Sequence, residues 1–384
     1  HVLGNSQFSI LNSQFTGGTP VKSWWLRDLV YLAALVAALL AATYLLAWAE
    51  SVYGAMRYYH HVIVMMGINI ILAVSLNVIN GHAGQFSLGH AGFMAVGAYS
   101  AAFLTFYYFG PLVFRMAEGP NRWLAQNGLL LMAVVAGGLA SAAAGYIVGL
   151  PSLRLRGDYL AIVTLGFGEI IRVVILNIDA IGAARGMSGI PPWSSFFWVF
   201  FFAILTIVIA RRLVRSSVGR AFLAIREDQI AAEAMGVDTT KYKVKAFMIG
   251  SCLAGMAGAL FAHYTPAYLN PTMFTFIKSF EVVAMVVLGG LGSISGAVLA
   301  AVLLTFLPEG LREVKDYIPG GRDPRMVIYA LMLIILMLTR PQGLLGRREL
   351  WEVLARRKDT IPDDPRDAGD ATEKLDRDAG PPVT

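Results

Sequence analysis

The chain has 384 residues, of which 57% are hydrophobic and only 15% are charged. A soluble domain carries about 25% charged residues, so this composition excludes an ordinary soluble protein and indicates that lipid surrounds much of the surface. The net charge of +6 does not indicate nucleic-acid binding, because the basic residues lie in loops between apolar segments, where they orient a membrane protein. The single cysteine, Cys252, allows no disulfide within the chain, and no cysteine–histidine spacing suggests a metal site.

Residues 1–27 are polar and lack the zones of a signal peptide, so we expect a polar cytoplasmic N-terminal segment. A membrane-spanning helix needs about 20 largely apolar residues. Runs of this kind follow at 28–49, 61–80, 87–109, 128–150, 158–177, 195–211, 244–264, 278–290, 294–310 and 325–339. The sequence therefore predicts an all-α, polytopic integral membrane protein with about ten transmembrane helices and a membrane domain over 28–345. Counts of eight, nine or eleven stay open, because the glycine-rich regions could be re-entrant.

The basic residues predict the orientation of these spans. If the loop 211–245 lies in the cytoplasm, the inner segments carry roughly twice as many lysines and arginines as the outer ones, which follows the positive-inside rule. Both termini are then cytoplasmic.

Two glycine-rich segments interrupt the apolar pattern. The first reads GHAGQFSLGHAG over 81–92, and the second, GGLGSIS over 289–295, shares its pattern Gly-x-x-Gly-x-[Phe/Ile]-Ser. Interrupted helices in two halves of a transporter point to a site near the membrane midplane, and we expect Ser87 or Ser295 to cap the following helix. The pattern nominates these residues for a solute pathway: Gly84, Gln85, Ser87, His90, Gly292 and Ser295. Close helix packing through small residues is the alternative.

Two pairs of opposite charges lie within apolar runs. Glu169 and Arg172 are three residues apart, as are Lys278 and Glu281, so each pair shares one helix face. Intramembrane charges usually face the interior of a bundle. Glu169 and Glu281 are therefore candidates to line or gate the pathway, with a structural ion pair as the alternative.

The loop 211–245 is the longest polar connection between spans. Ser216 or Ser217 gives a helix-start signal, and apolar residues follow at spacings that suit short helices with one face for a protein groove: Phe222, Ile225, Ile230 and Met235. Arg220, Glu227 and Glu233 are the candidate docking contacts. A loop lying on the membrane surface is the alternative.

The acidic segment 346–384 has too few apolar residues to build a core, so we expect a disordered cytoplasmic tail. The chain has no Gly-x-x-x-x-Gly-Lys-[Ser/Thr] phosphate loop and no recognisable catalytic group of residues. We therefore expect a transport subunit that is not an enzyme and that binds no cofactor.

Several motifs resemble the M-type permease of high-affinity branched-chain amino acid ABC importers, in that family's order. They are GQFSLGHA (84–91), LRLRGDYLAIVTL (153–165), EIIR (169–172), GMSGIP (186–191), GGLGSISG (289–296) and RPQGLL (340–345). In addition, Ala231, Ala232 and Gly236 partly match the coupling motif Glu-Ala-Ala-x-x-x-Gly of importer permeases, although Ile230 stands where the motif has Glu. The resemblance covers about 60–345.

The resemblance implies an ABC importer permease fold in a bacterial inner membrane. It also implies a related H-type permease as partner, two cytoplasmic ATP-binding subunits that use the ATP, and a periplasmic or extracellular solute-binding protein. The implied solute is Leu, Ile or Val, while urea and short amides are alternatives within the same family. From the residues alone, a proton-coupled secondary transporter and a channel stay open, and a membrane enzyme is disfavoured.

Overall fold

The computed structural model describes residues 37–46, 48–49, 56–114, 119–152, 158–264 and 268–311, together with 331, 334–335, 338–339, 343–346 and 349. Within these ranges the chain is almost entirely helical. Apolar runs form helices here because every backbone N–H and C=O must be paired within the chain when lipid is the solvent.

The helices are named in chain order. They are α1 Ala37–Leu46, α2 Met56–Asn77, α3 His90–Leu104, α4 Gly110–Phe114, α5 Pro120–Ser152, α6 Asp158–Leu176, α7 Phe196–Arg215, α8 Ser217–Glu227, α9 Gln229–Ala234, α10 Thr239–Tyr264, α11 Phe276–Gly289 and α12 Ile294–Gly310. Single π-helical turns extend α2 over Val78–His82 and join α3 to α4 over Thr105–Phe109. Short 3₁₀ turns occur at Asp179–Ile181, Ala183–Arg185 and Pro271–Phe274.

The structure confirms the predicted all-α fold class in the residues it describes. Six stretches of helix among the described residues are long and apolar enough to cross a membrane. Each predicted span from 61–80 to 294–310 coincides with a helix, and α11 and α12 are the shorter ones. The predicted spans 28–49 and 325–339 lie partly outside the described residues.

A small antiparallel sheet joins two connections at one end of the bundle. Strand β1, Met187–Ser188, follows α6, and strand β2, Tyr268–Leu269, follows α10. The segment 216–238 leaves the opposite end of the bundle, because it connects α7 to α10. The GMSGIP motif at 186–191 therefore lies far from the segment expected to contact ATPase subunits.

Helices α3, α5 and α10 pack closely through small residues. Gly97 of α3 faces the backbone of Gly255 of α10, and Gly258 faces the carbonyl of Met94. A side chain at Gly97 would collide with that backbone. Small residues let membrane helices approach each other closely, so this trio forms the tightest part of the core.

We expect Gly97→Ala to destabilise the protein by about 1–3 kcal/mol, because the added methyl overpacks the contact with Gly255. Gly128→Ala is the matched control, since Gly128 lies in α5 with open space around it, and alanine favours a helix by about 1 kcal/mol. Thermal melting of the two purified variants in detergent measures the difference. A Gly97→Ala protein as stable as the wild type would contradict this packing.

Candidate functional site

The first glycine-rich segment breaks the helical path between α2 and α3. After the π-helical turn, Gly84 adopts a left-handed conformation (φ +66°), which costs glycine little. Residues 84–89 form a linking stretch without regular secondary structure. Within it Gln85 and Ser87 are buried, while Phe86 is exposed.

The linking stretch runs back alongside the last turns of α2. The side-chain amide of Asn80 pairs with the backbone of Ser87, accepting from its N–H at 3.1 Å and donating to its carbonyl at 3.4 Å. His90 Nε2 lies 2.8 Å from Ser75 Oγ. Because a helix rises about 1.5 Å per residue, Ser75 lies about 10 Å from His82. Helix α3 therefore begins inside the bundle, as expected of a broken helix.

The start of α3 is capped differently from the expectation. Gly89 occupies the N-cap position without a side-chain cap. Instead, Ser279 Oγ of α11 accepts from the N–H of Ala91 at 3.0 Å. The prediction that Ser87 caps this helix is wrong, because its hydroxyl is buried without a partner.

The second break lies between α11 and α12. Gly290 (φ +110°) and Gly292 (φ +92°) form a tight turn. Ser293 caps α12 by accepting from the N–H of Gly296 at 3.0 Å. The prediction that Ser295 caps α12 is wrong, because the helix begins at Ile294 and Ser295 lies within its first turn.

Asn77 of α2 joins the second break to the first. Its Oδ1 accepts from the N–H of Gly292 at 2.9 Å, and its Nδ2 donates to the carbonyl of Ser293 at 2.9 Å. Asn77 and Asn80 therefore each satisfy backbone groups that a break leaves without a helical partner. The C-terminal end of α2 therefore forms hydrogen bonds to both breaks.

The C-terminal segment closes the ends of α11 and α12. The N–H groups of Leu344 and Leu345 donate to the carbonyls of Leu288 and Gly289 at 2.7 and 3.3 Å. The Glu349 carboxylate accepts from the N–H groups of Ile294 and Ser295 at 2.8 and 3.0 Å. A carboxylate at a helix N-terminus also interacts favourably with the helix dipole.

These contacts place Leu344, Leu345 and Glu349 against the ends of α11 and α12, while the domain boundary at 345 stays a prediction. The rest of the segment expected to be a disordered tail lies almost entirely outside the described residues, as do residues 1–27.

The segment 216–238 contains two capped helices. Ser216 Oγ accepts from the N–H of Gly219 at 3.3 Å, which confirms the predicted start of α8. Asp228 Oδ1 accepts from the N–H groups of Ile230 and Ala231 at the start of α9. Gly236 (φ +82°) ends α9 with a left-handed turn.

The apolar residues of this segment divide between two environments. Phe222 and Ile225 are buried in the bundle, whereas Ile230 and Met235 are 65% and 85% exposed. Of the four apolar residues predicted to face a protein groove, only Ile230 and Met235 are therefore available to a partner, because Phe222 and Ile225 pack within the chain. Of the nominated docking residues, Ala232 is buried. The others are exposed: Arg220, Glu227, Ala231, Glu233 and Gly236.

Glu233 connects α9 to the start of α10 through hydrogen bonds. Thr239 Oγ1 and Gln229 Nε2 donate to Glu233 Oε1 at 2.6 and 2.9 Å, and Lys243 Nζ donates to Gln229 Oε1 at 2.7 Å. The carboxylate thus has a structural role in addition to any docking contact.

Arg226 connects the segment 216–238 to the first break. Its Nη1 donates to the carbonyl of Gly81 at 2.9 Å, while Nη2 donates to Glu227 Oε1 at 2.8 Å. Sequence reasoning missed this residue and also Asn77, Asn80 and Glu349. The two asparagines, three residues apart in an apolar helix just before a glycine-rich stretch, were the available signal.

The two intramembrane ion pairs form as predicted. Arg172 Nε lies 2.7 Å from Glu169 Oε2, and Lys278 Nζ lies 2.9 Å from Glu281 Oε2. Lys278 also donates to Asn69 Oδ1 at 3.2 Å. All four charged side chains are partly exposed. Their place beside a solute pathway stays a prediction.

Three buried polar atoms lie in or next to the linking stretch without a hydrogen-bond partner. They are Gln85 Nε2, Ser87 Oγ and His90 Nδ1. Leaving such an atom unpaired costs about 1–3 kcal/mol. The stretch therefore carries polar groups that could bind the polar part of a solute.

We expect Asn77→Ala to destabilise the protein by about 1–3 kcal/mol, because it leaves the N–H of Gly292 unpaired. Asn177→Ala is the control, since among the described residues this exposed side chain bonds only the local carbonyl of Val173. The measurement is thermal melting in detergent. Equal melting temperatures for the two variants would contradict the role of Asn77.

Comparison with known proteins identifies the family. The model of the family described as "Branched-chain amino acid transport system / permease component" matches residues 58–337. The high-affinity branched-chain amino acid transport system permease protein LivM of Salmonella typhimurium is 38% identical over 73% of this chain and 68% of its own length. LivM of Escherichia coli is 38% identical over 72% of this chain and 68% of its length.

The related permease LivH of Salmonella typhimurium is 30% identical over 45% of this chain and 54% of its own length. No solved structure matches the chain. The relatives are named as transport permeases, so the protein is a transport component and not an enzyme. The resemblance seen in the motifs is confirmed: the chain belongs to the family of branched-chain amino acid transport permeases and is a multi-pass membrane protein.

Proposed function

We propose that the chain is the M-type permease subunit of an ATP-driven importer that carries branched-chain amino acids into the cytoplasm across a bacterial inner membrane. The family and the names of the LivM relatives support this solute class. Both termini and the segment 216–238 are cytoplasmic in this proposal, which agrees with the distribution of basic residues.

The observation that carries the proposal is the segment 216–238. Two short capped helices present Ile230 and Met235 to solvent, beside exposed charges at Arg220 and Glu227. Exposed apolar side chains on short helices are typical of a surface that enters a protein groove. We assign this surface to an ATP-binding subunit.

The complete importer contains other subunits. A related H-type permease pairs with this chain, two ATP-binding subunits use the ATP, and a solute-binding protein delivers the amino acid. The similarity of this chain to LivH supports a partner of the same fold. The chain itself binds no cofactor.

Solute passes between the two permeases, near the breaks. The buried polar atoms of Gln85, Ser87 and His90 suit the charged end of an amino acid, while Phe86 and Leu291 are exposed apolar groups in the two breaks. This mixture supports an aliphatic amino acid over urea. Gly84, Gly292 and Ser295 shape the same stretches, and Glu169 and Glu281 flank them on α6 and α11.

ATP supplies the free energy for a change between inward-open and outward-open states. A bound nucleotide can shift such an equilibrium only by binding one state more tightly than the other. Closure of the ATP-binding subunits provides this difference and moves the docked segment 216–238.

Purification of the tagged chain from its native membrane, followed by reconstitution into liposomes, tests the proposal. We expect a second permease and an ATP-binding subunit to co-purify, and we expect leucine uptake that requires ATP and ignores a proton uncoupler. A chain that purifies alone and transports without ATP would replace the proposal with a secondary transporter or a channel. Uptake of urea but not leucine would overturn the proposed solute class.

A double variant, Ile230→Asp with Met235→Asp, tests the docking surface. We expect the co-purified ATP-binding subunit to fall at least about tenfold, or about 1.4 kcal/mol of binding free energy, because two exposed apolar groups become charged. The control is Ile230→Leu with Met235→Leu, which keeps the apolar surface and should keep the subunit bound. Unchanged co-purification of the aspartate variant would place the docking surface elsewhere.

A further inference from the structure

Arg226 occupies the point where the segment 216–238 meets both breaks. Its side chain is only 20% exposed. One branch of the guanidinium donates to the carbonyl of Gly81, and the other pairs with Glu227. A guanidinium is planar, always charged and carries its donors in a fixed geometry. The side chain is therefore held from two directions.

Glycines let Arg226 come close to the two breaks. A methyl group at Gly84 would lie 2.8 Å from Arg226 Cγ and 3.0 Å from its Cα, and one at Gly292 would lie 2.8 Å from Nη1. These separations are shorter than van der Waals contact, so Arg226 is packed directly against both backbones. Because no empty space separates Arg226 from these two backbones, a movement of Arg226 also displaces them.

The other contacts of α8 with the bundle are of a different kind. Phe222 and Ile225 are buried apolar side chains, and apolar contact is non-directional. Such contacts hold α8 on the bundle but permit sliding. The bond from Arg226 to Gly81 is directional, because a hydrogen bond weakens steeply when its angle changes.

Gly81 lies on the same face of the α2 terminus as Asn77, since a methyl group at Gly81 would collide with Asn77 Oδ1 and the N–H of Gly292. Asn77 in turn holds Gly292 and Ser293. A displacement applied at Gly81 therefore reaches the second break as well as the first.

We propose that Arg226 is the positioning residue that transmits movement of the segment 216–238 to both helix breaks, and so couples ATP use to solute movement. This inference rests on the proposed function. It assigns no contact with solute or ATP to Arg226, which acts through Gly81, Gly84 and Gly292.

The test uses the complete importer in liposomes and measures leucine uptake and ATP hydrolysis in the same samples. For Arg226→Ala we expect the complex to assemble and to hydrolyse ATP, while the amount of leucine moved per ATP falls about tenfold, within the usual range of coupling between sites. Arg226→Lys keeps one hydrogen-bond donor for the Gly81 carbonyl but loses the second donor, which pairs with Glu227. The amount of leucine moved per ATP in this variant should therefore lie between the values for Arg226→Ala and the wild type.

Arg212→Ala is the matched control. It removes one exposed positive charge from the end of α7 and should leave the ratio of leucine to ATP unchanged. The same loss in this control would attribute the effect to charge and overturn the proposal.

Two further results would overturn it. One is an Arg226→Ala complex that moves as much leucine per ATP as the wild type. The other is a parallel loss of uptake and hydrolysis in both Arg226 variants, or their failure to assemble, which would assign the residue to folding or docking alone. The proposed function fails separately, if the wild-type complex shows no ATP-dependent uptake.

Discussion

The structure depends on the pairing of backbone groups at two interrupted helices inside a membrane protein. In lipid, each freed N–H or C=O must find a partner within the protein. Side chains and a C-terminal segment supply these partners here: Asn80 for the first break, Asn77 and Glu349 for the second, and the N–H groups of Leu344 and Leu345 for the end of α11. The breaks are therefore stable only when the whole bundle is assembled.

The same requirement brings the functional parts together. Because α2 satisfies both breaks, its last turns become a shared anchor, and Arg226 attaches the segment 216–238 to that anchor through Gly81. Glycine makes this possible in two ways, by adopting left-handed conformations at Gly84 and Gly292 and by leaving room for backbones to touch. The rigid trio of α3, α5 and α10 provides the frame against which the anchored elements can move.

Much of this was predictable from the sequence. The apolar runs predict the helices, and the glycine pattern predicts the breaks. The three-residue spacing predicts the ion pairs of Glu169 and Lys278, and Ser216 predicts the start of α8. These features are local, so a window of the sequence contains their cause. The motifs also gave the family.

The contacts that join the site were not predictable in this way. Asn77 and Gly292 are 215 residues apart, and Arg226 and Gly81 are 145 apart, and no periodicity links such positions. The misplaced cap at Ser87 has the same origin, because the three-dimensional fold offered Ser279 instead, whereas the cap of α12 is Ser293, only two residues before Ser295. The apolar residues of α8 were likewise assigned to a partner, since a sequence does not distinguish burial in its own bundle from burial against another subunit.

A pair of structures of the complete importer, one without nucleotide and one with ATP bound, would test the role of Arg226 and the two breaks. We expect Arg226 Nη1 and the Gly81 carbonyl to stay within hydrogen-bond distance in both states, while residues 84–89 and 290–295 shift together relative to α3, α5 and α10. A segment 216–238 that moves while the two breaks stay fixed, with the bond to Gly81 broken, would contradict this expectation.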